Sequence, residues 1–105
     1  MLPRSFYSLL GFCQAAGKVC SGYNTCEVNM NKGNAYLVVI ADDAAPNTKE
    51  FFEGLALRKK VPVIRGGASE LLARAIGKPK RVVLCILDQQ FAASLLNAAG
   101  EAGKC

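Results

Sequence analysis

The chain has 105 residues and carries 13 Lys and Arg against 8 Asp and Glu, a formal charge of +5 that marks it as basic. Apolar residues make up 51% of it, yet none of its apolar runs reaches the ~18–20 residues of a bilayer span. Disorder and membrane insertion are therefore excluded, and one domain over residues 1–105 is expected, because two cores would each be too small.

Further exclusions follow from two residue types. Histidine is absent, so Ser–His and Cys–His nucleophile pairs cannot form, and the chain reads as a non-enzyme. The cysteines Cys13, Cys20, Cys26, Cys85 and Cys105 contain no CxxC pair, and their spacing matches no zinc ribbon or finger. Neither a metal nor another cofactor is expected. Cys13 and Cys85 lie in apolar stretches and read as small core residues. The N-terminal stretch from Met1 to Gln14 lacks a continuous apolar segment of signal-peptide type, so the expected compartment is the cytoplasm.

Helical and strand patterns alternate along the chain. After Pro3, the residues Phe6, Leu9, Leu10 and Cys13 line one helix face, and Gly17 is placed to end it. Lys18–Ser21 allow a short strand. Over 24–32, Asn24 and Glu27 have capping-box spacing and Gly33 suits the residue after a helix, while the alternation of Cys26, Val28 and Met30 suits a strand. The caps favour helix.

Ala35–Ala41 is apolar throughout, as in a strand covered on both faces. Asp42–Pro46 turns the chain, and Asn47 with Glu50 repeats the capping-box spacing ahead of a helix that runs to Lys60. Val61–Arg65 reads as a strand with Pro62 near an end. Gly66, Gly67 and Ala68 form a turn, and Ser69 is placed to cap a helix that Gly77 stops. Arg81–Leu87 is a second strand apolar on both faces. Asp88 caps a last helix, and 100–105 are expected to form a frayed tail. The reading is an α/β fold: a three-layer α/β/α sandwich with a four-stranded sheet and about five helices.

If the strands are parallel, the loops leaving their carboxyl ends gather along one edge, where ligands bind in such folds. That edge would collect Ser21–Asn24, Ala41–Pro46, Arg65–Ser69 and Asp88, and the candidate contacts on it are Ser21, Gly22, Tyr23, Asn24 and Thr25, Ala44 and Ala45, and Arg65, Gly66 and Gly67. Amide groups at a helix start suit a phosphate, and Asn24 can either pair with a base edge or cap its own helix. Asp42 and Asp43 read as a solvated turn or a cap. The clusters Arg58–Lys60 and Lys78, Lys80, Arg81 would fall at the opposite edge. A net positive charge favours a polyanion as partner.

Several stretches, taken in order, resemble one family. They are Ala16–Gly22, Ala35–Ala44, Val61–Val63, Glu70–Lys78, and Val82–Asp88 followed by Phe91 and Ala92. Together they resemble the kink-turn RNA-binding ribosomal protein superfamily, with the nearest likeness to its bacterial YlxQ-type branch. The resemblance implies an α/β/α sandwich that binds structured RNA, such as ribosomal RNA, without catalysis. It implies ribosomal or translation-factor proteins as further partners, and no membrane or small-molecule substrate.

In that family a Gly-x-Asn-Glu-x-x-Lys motif opens the second helix and reads sheared G·A pairs. Gly22 and Asn24 match it, whereas Thr25 stands in place of Glu and Val28 in place of Lys. These departures remove a charged acceptor and a cation, which weakens the case for kink-turn recognition. The third contact loop of the family maps onto Val63–Gly67, where Ile64 would pack on exposed bases and Arg65 would contact phosphate or stack. The alternative is a protein-interaction module that has lost its RNA site, favoured by Thr25 and Val28. A thiol-based redox role for Cys20 and Cys26, flanking the same helix start, ranks behind both.

Overall fold

The computed structural model describes residues 2–103, with side chains through Gly100. The elements follow in the order α1 (Arg4–Ala15), β1 (Val19–Ser21), α2 (Tyr23–Asn31), β2 (Leu37–Ile40), α3 (Pro46–Lys59), β3 (Val63–Arg65), α4 (Ser69–Ala75), β4 (Val83–Ile86) and α5 (Gln89–Gly103). The four-stranded sheet has the order β1-β4-β2-β3.

All side chains of β2 and β4 are buried, as their unbroken apolar sequences require. Leu37 and Val39 of β2, with Leu84 and Ile86 of β4, meet Phe6, Leu10, Leu72 and Leu95 from α1, α4 and α5. Val38, Ile40, Val83 and Cys85 point the other way, onto Cys26 and Met30 of α2 and Phe52 and Leu55 of α3. The period of two along each strand thus supplies two cores, one on either side of the sheet. This is the expected α/β/α sandwich.

The sheet is mixed rather than parallel. β2 and β3 run parallel, but β4 is antiparallel to both its neighbours, β1 and β2. The cause is the connection before β4. With 7 residues, α4 is about 10 Å long and carries the chain only part of the way down the sandwich. Gly77, Lys78 and Lys80 then lie alongside α4, sharing a groove with Ser69, Ala73 and Arg74. The chain therefore returns to the end from which α4 departed, and β4 starts there.

Capping departs from the expected scheme in three places. Gly22, not Asn24, is the N-cap of α2, with φ 96° and ψ 153°, and no side chain bonds to it. Ala45 rather than Asn47 precedes α3, because Pro46 occupies the first helical position, where a missing N–H costs nothing. Ala68 precedes α4, so Ser69 is its first residue and not its cap. By contrast, Asp88 Oδ1 accepts from the Phe91 N–H at 3.0 Å, capping α5 as anticipated. Gly17, Gly33 and Gly77 follow their helices with φ of 71°, 78° and 66°. The backbone of α5 is helical through Gly103; the remainder of the tail expected to fray, with Cys105, lies outside the described residues.

Candidate nucleic-acid interface

Because β1, β2 and β3 share a direction and β4 opposes it, one end of the sandwich collects three strand exits and one strand entry. These are the turn after β1, the loop after β2, the double-glycine bend after β3, and the Lys78–Val82 segment before β4. Backbone hydrogen bonds join them in sequence across the sheet. Gly22 N–H donates to Val83 O at 3.1 Å, Ala41 N–H to Val82 O at 2.9 Å, Asp42 N–H to Gly67 O at 2.9 Å, and Gly66 N–H to Ile40 O at 3.1 Å. The rim is thus one continuous, braced edge.

Two expectations about this edge are overturned by the direction of β4. Asp88, at the far end of β4, belongs to the opposite end of the molecule, and Lys80 and Arg81 come to the rim, while the Lys78 N–H is held by the Ala73 carbonyl at the end of α4. Ser21, Gly22, Tyr23, Asn24, Thr25, Lys80, Arg81 and Val82 line a common depression. The half-buried Arg81 is held across it, its Nε donating to Ser21 Oγ at 3.1 Å and its Nη1 to the Lys80 carbonyl at 3.1 Å. The Arg58–Lys60 cluster stays at the opposite end as expected: Lys59 and Lys60 line a groove there with Tyr36 and Gln89.

Asn24 and Thr25 are exposed. Asn24 lies one residue inside α2, and among the described residues its side chain makes no hydrogen bond that would occupy it as a cap. Its amide is therefore available to a ligand. Gly22 can hold its turn because φ 96° with ψ 153° is a region open essentially to glycine alone. Tyr23 is tied into the fold: its ring stacks on Phe51 at 5.1 Å and meets Phe52 edge-on at 5.0 Å. Val28 is 48% exposed on the outer side of α2.

The remaining expected contact residues divide by burial. Ala45 is exposed, but the Ala44 side chain is buried against the α2–α3 core. Ile64 is 6% exposed and packs in the opposite core, so it offers no face to a base. The alternation of β3 explains this, since Ile64 turns inward and Arg65 outward. Arg65 Nε pairs with Glu53 Oε2 at 3.1 Å on the surface, which shares its charge. Gly66 and Gly67 are buried, and a Cβ on Gly67 would meet Tyr7 Oη at 2.9 Å.

The paired carboxylates are structural. Asp43 accepts from the Ser69 N–H at 2.8 Å and the Ser69 hydroxyl at 2.6 Å, capping α4 from another loop. The Ser69 hydroxyl, then its N–H, hold the Asp43 carboxyl below the usual range, and Lys80 adds to this. Asp42 lies beside Tyr7, whose phenol is pushed up by burial first and by Asp42 second.

One grouping was hidden by sequence spacing. Cys20, Cys26 and Cys85 place their sulfurs within 4.8 Å of one another, immediately beneath the Gly22 turn. Cys85 is not an isolated core residue, although it is buried as expected. Hydrogen bonding from Cys26, then from Cys85, draws the Cys20 thiol down to about 4. The same interaction with Cys20 is the first cause pushing Cys26 and Cys85 up. The register pair Cys20↔Cys85 was the missing signal, and no local pattern supplies it.

Comparison with known proteins agrees with this architecture. Residues 4–97 match the model of the ribosomal protein L7Ae/L30e/S12e/Gadd45 family. The RNA-binding protein YlxQ of Bacillus subtilis is 34% identical over 97 residues, which cover 92% of this chain and 97% of that protein. The large ribosomal subunit protein eL30 of Spodoptera frugiperda is 36% identical over 86 residues, 80% of this chain and 76% of that one. A solved structure from Bacillus halodurans, of unknown function, superposes with a TM-score of 0.90 at 28% identity, covering 93% of this chain and 99% of that one. The chain belongs to the ribosomal protein L7Ae/L30e/S12e/Gadd45 family.

Proposed function

We propose that this chain is a small non-catalytic RNA-binding protein that docks structured RNA on the braced rim. Family membership and the RNA-binding name of the B. subtilis relative support RNA as the partner class. The observation that carries the location is the depression where the uncapped Asn24 and the pinned Arg81 lie together. An amide with a free donor and acceptor can pair with a base edge, and a guanidinium beside it can hold a phosphate or stack. Glycine at position 22 keeps the backbone low enough for RNA to approach.

In this reading kink-turn recognition is not the favoured mode. Thr25 lacks a carboxylate to accept from base amino groups, and Val28 presents an apolar surface where the family motif has a cation. Arg81 and Lys80, from a different loop, supply positive charge on the β1 side of the rim instead. The recognised RNA is therefore folded RNA of ribosomal type, held mainly by backbone shape, with one amide reading a base.

The test is a binding assay on structured ribosomal RNA fragments and on a kink-turn hairpin. Asn24→Ala should weaken binding roughly 5- to 150-fold, corresponding to the about 1–3 kcal/mol of a good base contact. Arg81→Ala should weaken it too, while Lys59→Ala at the far end leaves it unchanged. Equal losses from all three variants would remove the site. Partners that survive ribonuclease digestion would support the alternative reading, a protein-interaction module, for which exposed Val28 is the relevant surface.

A further inference from the structure

We propose that Cys20, Cys26 and Cys85 form a binding site for a single thiophilic d¹⁰ metal ion, held by three thiolates. The inference is independent of RNA binding and rests on the convergence of three elements. Cys20 in β1 and Cys85 in β4 are directly opposite on adjacent antiparallel strands, so both side chains leave the same sheet face. That face is covered by α2, whose Cys26 fills the space above them. The three sulfurs lie within 4.8 Å of one another. Three metal–sulfur bonds of about 2.3 Å in a trigonal plane would space the sulfurs about 4 Å apart, so only a small contraction is needed.

The donor set selects the ion. The group consists of sulfur alone, and such ligands favour copper(I) and zinc(II) over magnesium, calcium or manganese. Cys26 and Cys85 are fully buried and Cys20 is half-buried, so the ion enters beside Cys20. Copper(I) is satisfied by the three sulfurs; zinc(II) would complete four ligands with a water on the Cys20 side. Asn29 Nδ2 lies 3.6 Å from Cys20 Sγ and donates toward it, a partner that orients and stabilises a thiolate.

Binding transfers no electron. The ion displaces the three thiol protons to solvent and forms three metal–sulfur bonds. The result ties β1, α2 and β4 together directly under the Gly22 turn, so loading should raise thermal stability by mass action.

The test uses the full chain with Cys105→Ser, reduced and handled without oxygen, so that thiols outside the cluster contribute least. Zinc(II) alone and copper(I) alone are titrated against a chromophoric chelator, and thermal unfolding is recorded with each. One ion bound per chain with a higher melting temperature supports the proposal, and the arm that succeeds identifies the ion. Cys20→Ser, at the most accessible of the three positions, should lower affinity more than about 100-fold, beyond the 10–100-fold cost of losing an outer partner. Asn29→Ala should lower it about 10-fold while keeping every sulfur. Absence of one-to-one binding by either ion overturns the proposal. So does binding that Cys20→Ser leaves unchanged, or a disulfide that forms within the cluster under reductant and blocks both ions.

Discussion

Gly22 sits where strand becomes helix, and its backbone conformation does more for the rim than any side chain there could. At φ 96° and ψ 153°, a Cβ would be strained whatever space surrounds it, and the nearest side-chain atom, Arg81 Nε, lies 4.0 Å away. Steric crowding is thus minor and conformational strain dominates. Gly22→Ala is expected to destabilise the fold by about 1–3 kcal/mol, measured by denaturant unfolding. A loss of binding without that loss of stability would point to a direct contact instead. Asn24 shows how far local sequence reasoning reaches. Its spacing to Glu27 is that of a capping box, but the glycine before the helix moves the boundary two residues earlier. Asn24 is thereby freed, and the spacing alone could not have revealed it.

Helix α4 is short, and its first turn is satisfied from outside, by Asp43 rather than by its own Ser69. The Asp43 carboxyl is held below its ordinary value of 3.8, chiefly by the Ser69 hydroxyl. A carboxylate with a depressed folded-state pKa contributes stability that is present above the unfolded value and lost as pH falls through the folded one. Stability should therefore decline on acidification below the ordinary value, and Asp43→Asn should flatten that decline while lowering stability at neutral pH. Unfolding curves between pH 2 and 7 would check it. An unchanged acid limb would mean that the cap does not couple to global unfolding. The same short helix determines the sense of β4. Helix positions and stop glycines were readable from apolar period and φ preference, but a strand of four apolar residues reads identically in either direction.

Charge distribution connects these details to the whole molecule. A net +5 was evident at once, yet its placement was not. One basic cluster, Arg58–Lys60, remains at the far end, and Lys80 and Arg81 of the other reach the rim through the reversal of β4. If about three to five phosphates are neutralised there, log K for RNA should fall with log salt at a slope of roughly −2 to −4. Lys80→Ala should reduce the slope by about one, while Lys59→Ala should leave it unaltered. A flat salt response in the parent protein would remove the electrostatic part of the reading.

The amino-acid sequence by itself determined the nine elements, the three-layer architecture and most helix ends, because burial period, proline and glycine act within a few residues. The three-dimensional fold alone decided which end Lys80 and Arg81 occupy, that Ile64 faces the core, and that Cys20, Cys26 and Cys85 meet. Each of these depends on strand direction and register, which follow from how far a connection carries the chain and what it then packs against. Neither quantity is encoded in the periodicity of the strand that results.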